Sequence, residues 1–231
     1  MMKIHGLQKM TLLDFPGKVA CTVFLGGCDF RCPFCHNFEL VDGTAKPVMD
    51  DEELLSFLSK RKGLLDGVAF TGGEPCLHRE LPLLMEKIRD MGYQIKLDSN
   101  GYHPEMLSSI LDRGLVDYVA MDIKNSEEKY ALTCGVDHID MDIIKESISV
   151  LMNSGIDYEF RTTVVSQLHG DEDFHAIGRM IEGARHYYLQ CFTDRDSVPF
   201  AALSAPGREE LLRYADIVRP HVMEVAIRGV D

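Results

Sequence analysis

The 231-residue chain predicts an α/β fold, a partial (β/α)6 barrel of the TIM type with a seventh strand at its edge. Three observations predict it. Short runs rich in β-branched residues alternate about six times with amphipathic helical stretches, an order that builds a parallel sheet with right-handed crossovers. With 45% hydrophobic residues the chain is long enough for one sizeable core, and barrels of this length commonly form a single domain. The unusual polar motifs fall at or near the carboxyl ends of the predicted strands, the face on which barrels and parallel sheets bind ligands.

Taken in order, residues 1–18 read as a lead-in, with Asp14-Phe15-Pro16-Gly17 as a turn. Strands are predicted at 19–25, 67–71, 93–99, 118–123, 158–164, 187–192 and 221–227. Asp50 and Glu53 form a capping-box signature ahead of Leu54, Leu55 and Leu58, which share one helical face. Lys60-Arg61-Lys62 closes that helix, where cations favour the negative end of the dipole. Pro104 and Gly114 bracket a second helix, and Asp140 precedes a third with Ile143, Ile144, Ile148 and Leu151 on its inner face. A helix and strand at about 207–228 end the pattern. No composition break, low-complexity tract or further repeat interrupts it. One domain is therefore expected over 1–231, with its core at about 19–200.

Charge narrows the function classes. A formal net charge of -13 and a pI near 5.1 oppose sequence-independent binding to nucleic acid or to an anionic membrane, since both surfaces are negative. No apolar run approaches the roughly 18–20 residues of a membrane span. No basic segment followed by an apolar stretch directs the chain to an oxidising compartment, so a cytoplasmic protein with reduced thiols is expected.

Three of the seven cysteines, Cys28, Cys32 and Cys35, fall within eight residues as C-D-F-R-C-P-F-C. Three thiolates on one tight loop can grip a soft metal centre, and a cubane iron-sulfur cluster normally takes four cysteines. A missing fourth ligand leaves one iron open, and an open position separates a catalytic metal site from a closed structural one. Structural zinc is the competing reading, with His36 completing a Cys3His set; Cys21, Cys76, Cys134 and Cys191 stand singly and far apart.

Further motifs follow the later strands: Thr71-Gly72-Gly73-Glu74-Pro75, then Asp98-Ser99-Asn100-Gly101, Asp122-Ile123-Lys124, Arg161-Thr162-Thr163 and Gln190. Lys124 lies two residues beyond Asp122 and so on the same side of an extended chain. Arg161 is a charge in an otherwise uncharged run, costly if buried alone, so an acidic or ribose partner is expected. Gly72 and Gly73 let backbone approach a ligand with no Cβ in the way. His169, His175 and His186 read as loop or helix-surface residues rather than ligands.

Together, C-x3-C-x2-C with Phe34 before the last cysteine, His36-Asn37 after it and the later G-G-E-P resemble the radical S-adenosylmethionine (SAM) superfamily. More narrowly, the chain resembles the activating enzymes of glycyl-radical enzymes. Gly6-Leu7-Gln8-Lys9 through Asp14-Phe15-Pro16-Gly17-Lys18-Val19-Ala20, running on to Cys35-His36-Asn37, is most similar to the activating proteins of anaerobic ribonucleoside-triphosphate reductases. The resemblance covers nearly the whole chain, the last forty residues least.

It implies one [4Fe-4S] cluster on Cys28, Cys32 and Cys35, whose fourth iron takes the amino and carboxylate groups of SAM. One electron then breaks the sulfonium carbon-sulfur bond, giving methionine and a 5'-deoxyadenosyl radical that takes a hydrogen atom. It further implies that the Gly72 and Gly73 carbonyls meet the methionyl ammonium, that Glu74 orients their loop, and that Phe34, His36 and Asn37 flank the adenine. Asp98, Ser99, Asp122, Lys124, Arg161 and Gln190 complete the cofactor pocket, and in related activating enzymes the two aspartates help bind a monovalent cation. The implied partners are a large glycyl-radical enzyme and a flavodoxin or ferredoxin electron donor, for which exposed Arg31 is a candidate contact. Ser99 keeps the hydroxyl of the threonine found in many relatives, whereas Cys76 places a thiol after G-G-E-P and makes oxidation near the cofactor an open question. A small-molecule radical SAM enzyme such as a 7-carboxy-7-deazaguanine synthase would share all these motifs.

Overall fold

The computed structural model describes residues 2–229. Strands β1 (Lys3–Ile4), β2 (Gly6–Thr11) and β3 (Ala20–Leu25) lead to a short helix α1 (Phe38–Val41), then β4 (Met49–Asp50) and α2 (Asp51–Ser59). From there strands and helices alternate: β5 (Gly67–Gly72), α3 (Leu81–Asp90), β6 (Gln94–Ser99), α4 (Pro104–Asp112), β7 (Tyr118–Asp122). After β7 come α5 (Tyr130–Cys134) and α6 (Met141–Met152), then β8 (Asp157–Val164), α7 (Asp171–Met180), β9 (His186–Cys191), α8 (Arg208–Val218) and β10 (Glu224–Arg228).

Local chemistry sets the helix ends where the sequence places them. Asp50 Oδ1 accepts from Glu53 N while Glu53 Oε2 accepts from Asp50 N, both at 3.1 Å, so α2 starts on a complete capping box. Asp140 Oδ1 accepts from Asp142 N at 3.0 Å to start α6, which buries Ile144, Ile148 and Leu151. Pro104 opens α4, and Gly135 ends α5 in the left-handed region at φ 66°.

The main sheet has eight strands in the order β10-β9-β8-β7-β6-β5-β3-β2. Every pairing from β3 to β10 is parallel. Val68, Ala69 and Phe70 of β5 are all buried, as are Val119, Ala120 and Met121 of β7, because helices or the barrel interior cover both faces of a parallel sheet. This is the parallel α/β architecture of a partial barrel.

Two segments differ from expectation. Instead of a plain lead-in, the first residues supply β2, antiparallel to β3, and β1, antiparallel to β4. Gly-Leu-Gln-Lys-Met-Thr shows no apolar alternation, with Gln8, Lys9 and Met10 all exposed; what holds it is pairing to the free edge of β3. At the other end, β10 starts three residues later than expected, because Arg219–His221 forms a 3-10 turn.

One face of the sheet carries buried charge. Arg228 of β10 donates to both Glu159 oxygens of β8 at 2.7 and 2.8 Å, and Tyr118 donates its hydroxyl to Glu159 at 2.7 Å. Near them Phe15 covers the start of the sheet: its ring lies 6.3 Å from that of Tyr118, and a Cβ on Gly67 would sit 2.8 Å from it. Burial pushes the Glu159 carboxyl up, but the Arg228 and Tyr118 hydrogen bonds reverse this and hold it below its ordinary value. A carboxylate depressed in the folded state stabilises above its unfolded pKa, and that contribution is lost as pH falls through the folded value. Glu159→Gln is therefore expected to cost about 1–3 kcal/mol at neutral pH. Urea unfolding should show the gap to the parent protein closing in acid.

Candidate active site

The cysteine loop leaves the end of β3 and is tied down along its length. Gly27 N donates to Leu40 O at 2.8 Å, Cys35 N to Cys32 O at 3.1 Å and Arg31 N to Cys134 O at 2.8 Å. Arg31 turns its guanidinium back onto the carbonyl oxygens of Cys28 and Phe30, at 2.7 and 2.9 Å. At Gly135 a Cβ would lie 2.1 Å from Arg31 O, so the loop rests directly on the end of α5.

Cys28, Cys32 and Cys35 border one cavity of about 420 Å³ at the carboxyl ends of the strands, within the usual range for small-molecule sites. Their thiols are not equivalent. A hydrogen bond with Cys134 pulls Cys32 down to about 7, against burial and with help from the Lys124 charge. Burial pushes Cys28 up to about 12 and raises Cys35 as well. Cys32 is thus the thiolate most readily formed, in an electropositive setting of the kind that activates thiols.

The second wall is the turn after β5. Gly72 adopts φ 116°, and a Cβ there would lie 2.5 Å from Leu25 O. A Cβ on Gly73 would lie 1.9 Å from Gly27 O. Both glycines press against the end of β3 and the root of the cysteine loop, where no side chain has room, and both line the cavity. Asn37 lines the cavity and donates from Nδ2 to Gly72 O at 3.1 Å, fixing that carbonyl.

Glu74 does not join the cavity. It is fully buried behind the turn, accepting from Cys76 N at 2.9 Å, Ser99 Oγ at 3.0 Å and Asn100 N at 2.6 Å. Burial raises its carboxyl above the ordinary value against these three donors. It acts on the site through the two loops it joins. Cys76 is packed beside it, 2% exposed and outside the cavity, its thiol pushed well up by burial. The question of an oxidisable thiol at the cofactor is answered by that inert packing.

The third wall is charged. Arg161 Nε donates to Asp122 Oδ1 at 2.5 Å and its NH2 group lies 3.1 Å from Asp98 Oδ2. Lys124 Nζ lies 2.8 Å from Asp122 Oδ2. Arg161 thus has the acidic partners its position in β8 demanded. Burial would raise both carboxyls, but the Arg161 charge, with Lys96 at Asp98 and Lys124 at Asp122, holds both below the ordinary range. Burial would lower Lys124, but Asp122 and then Cys32 hold it well above its ordinary value, so its charge faces the cysteine loop.

The remaining residues close the ring. Phe34 lines the cavity at 5% exposure; Thr163 and Gln190 line it as register partners on β8 and β9. His36 stacks on Phe192, centroids 5.8 Å apart, and donates from Nε2 to Thr193 O at 2.7 Å. That ties the cysteine loop to the segment that follows β9. Among the described residues, no group of three His, Cys, Asp or Glu side chains could hold a single metal ion. Ser99 borders the cavity but gives its hydroxyl proton to Glu74.

Some site residues escaped the sequence reading. Asn100 donates from Nδ2 toward Cys28 Sγ at 3.8 Å, and Gln8 and Asp14 reach the cavity from the amino-terminal segment. Asn100 stands inside the Asp98 to Gly101 motif, and Gln8 and Asp14 stand in the Gly6 to Ala20 segment that carries the narrower resemblance, where neither reads as a cavity residue. His169 lies on a loop, as expected, and is buried there, donating from Nε2 to Lys124 O at 2.9 Å and so bracing the Lys124 backbone.

The radical SAM superfamily model matches residues 22–181, more than half of the chain. The chain belongs to the radical SAM superfamily. Among curated proteins it is 27% identical over 239 residues to a protein of Methanocaldococcus jannaschii named as a glycyl-radical enzyme activating enzyme, covering 99% of this chain and 96% of that one. It is 28% identical over 191 residues to the pyruvate formate-lyase-activating enzyme of Clostridium pasteurianum, covering 80% and 78%. Among solved structures, Streptococcus suis SuiB bound to S-adenosylmethionine shares the fold with a TM-score of 0.64 at 12% identity, over 90% of this chain and 52% of that one. Like other radical SAM proteins the chain is an enzyme, and the superfamily implies an iron-sulfur cluster and SAM. The donor set fits both: three thiols of one loop, a glycine backbone that no Cβ obstructs, and a charged wall opposite. Among the described residues, no helix is long and apolar enough to cross a membrane.

Proposed function

We propose that this radical SAM enzyme activates a glycyl-radical enzyme, and that its partner is an anaerobic ribonucleoside-triphosphate reductase. The observation that carries the reading is the convergence on one cavity of three cysteine thiols, the Gly72–Gly73 backbone and the Asp98–Arg161–Asp122–Lys124 wall. The two curated relatives support the activase class. The reductase partner is supported by the Gly6 to Ala20 segment that carries the narrower resemblance, since its Gln8 and Asp14 line the same cavity.

A [4Fe-4S] cluster held by Cys28, Cys32 and Cys35 would supply one electron for reductive cleavage of SAM, and the resulting abstraction would leave a radical on a partner glycine. The chain's own residues position and insulate. The Gly72 and Gly73 carbonyls accept the methionyl ammonium, with Asn37 holding the first in place. Arg161 and Lys124 offer positive charge to the methionyl carboxylate, and Phe34 with His36 provides flat surface for the adenine. Enclosure by the three walls strengthens these interactions by excluding water. A flavodoxin or ferredoxin would approach the outer side of the cysteine loop, where Arg31 is exposed.

Anaerobic reconstitution with iron and sulfide, reduction, and addition of SAM with purified reductase should give 5'-deoxyadenosine and the electron paramagnetic resonance signal of a glycyl radical. Equal 5'-deoxyadenosine with no radical on the reductase would shift the assignment to another glycyl-radical enzyme or to a small-molecule substrate. No SAM turnover at all would refute the enzyme class.

A further inference from the structure

The family resemblance gives Asp98 and Asp122 a monovalent cation to hold. In this structure all four of their carboxylate oxygens already face a cationic nitrogen. Asp98 Oδ1 pairs with Lys96 Nζ and its Oδ2 with Arg161; Asp122 Oδ1 pairs with Arg161 Nε and its Oδ2 with Lys124. Each oxygen of the two carboxylates is already engaged by a cationic side chain of this chain, so the pair is charge-balanced without an added ion.

Arg161 and Lys124 border the cavity and are accounted for by the cofactor site. Lys96 does not border it. Its side chain is 3% exposed, it sits two residues before Asp98 on β6, and its ammonium pairs with Asp98 Oδ1. Period-2 geometry puts Lys96 and Asp98 on the same face of the strand, so the ammonium reaches Asp98 with no change in backbone. A buried lysine retains its charge only when paired, and Asp98 is the partner the structure supplies. A lysine ammonium is a compact point charge comparable to a hydrated-site alkali cation. Being tethered, it needs no capture from solution. Two carboxylates against three cationic side chains leave one net positive charge facing the cavity, suited to an anionic methionyl carboxylate. A further alkali ion would have to displace a buried ammonium to reach Asp98.

We propose that Lys96 is a built-in replacement for the monovalent cation, a positioning residue that neutralises Asp98 so that this chain binds SAM without potassium or sodium. The inference rests on the SAM-binding reading above. It makes SAM affinity, and not turnover alone, the quantity to measure.

The test is calorimetric titration of SAM into the reconstituted, oxidised holoenzyme, with potassium, sodium or tetramethylammonium as the sole monovalent cation. The parent protein should show the same affinity in all three. Lys96→Met should bind SAM ~10-fold more weakly in tetramethylammonium and recover in potassium or sodium. A parent affinity that rises ~10-fold on adding potassium would overturn the proposal, and this comparison decides the matter even if Lys96→Met does not fold. A folded Lys96→Met with parent affinity in every salt would overturn it too. If the parent protein bound no SAM in any salt, the proposed function would fall first and this inference with it.

Discussion

Cys32→Ala is expected to eliminate the iron-sulfur absorbance and 5'-deoxyadenosine formation together. Cys32 is the middle ligand of the loop and the most buried of the three, at 7% exposure. It is also the one whose thiol is drawn down to about 7, by Cys134 and Lys124. Metal ligands must be thiolates, and a cluster would draw on all three cysteines of this loop. Removing it leaves two donors on a loop of otherwise unchanged backbone, too few for a cubane. Iron and acid-labile sulfide analysis of the purified variant, beside turnover, checks the result. Cys76→Ala is the comparison: that residue is buried outside the cavity and its loss should leave iron content at the parent level. Full iron content in Cys32→Ala would mean that another residue completes the ligand set.

The second large effect is expected from Gly73→Ala. The added Cβ would meet Gly27 O at 1.9 Å and Gly27 C at 2.7 Å. Both atoms are backbone, so no rotamer change relieves the contact. Either the turn after β5 or the root of the cysteine loop must move, and those are the two walls that would share the cofactor. Overpacking of this kind costs about 1–3 kcal/mol, or roughly 2–4 °C in Tm per kcal/mol for a chain of this size. SAM affinity should fall further than stability does, since the displaced atoms are those offered to the methionyl group. Gly207→Ala, where the Cβ would meet nothing within 4 Å, should change neither measurement appreciably. An alanine at 73 that bound SAM normally would show that the turn is not part of the pocket.

Sequence alone revealed the alternation of strands and helices, because most parallel strands carry short apolar runs and helices such as α2 and α6 start on their own side-chain caps. It located most of the cavity wall for a related reason. In a parallel barrel the carboxyl end of every strand faces one rim, so motifs scattered from Cys28 to Gln190 meet. What it missed depends on contacts distant along the chain. The β2 segment carries no strand pattern of its own and exists through its register with β3. Glu74 reads as the residue that orients the G-G-E-P loop, but the distant partner it holds there, the Asn100 amide, shows only in the fold. Lys96 was invisible because a lysine inside a strand ordinarily reads as a solvent-facing residue; only the fold shows that its side of the strand faces Asp98. The burial of His169 likewise comes from the fold, which packs its loop against the Lys124 carbonyl.

The strand order has a further consequence for how the molecule is made. From β2 to β10 each strand of the main sheet lies beside the one that precedes it in that sheet's chain order, so the sheet can grow by accretion as the polypeptide leaves the ribosome. The thiol loop emerges early. The segments that enclose it, ending with β8 and β9, emerge more than a hundred residues later. Until then the cysteines border a half-built cup open to water and oxygen, which places safe insertion of an oxygen-labile inorganic core after translation has passed the far wall.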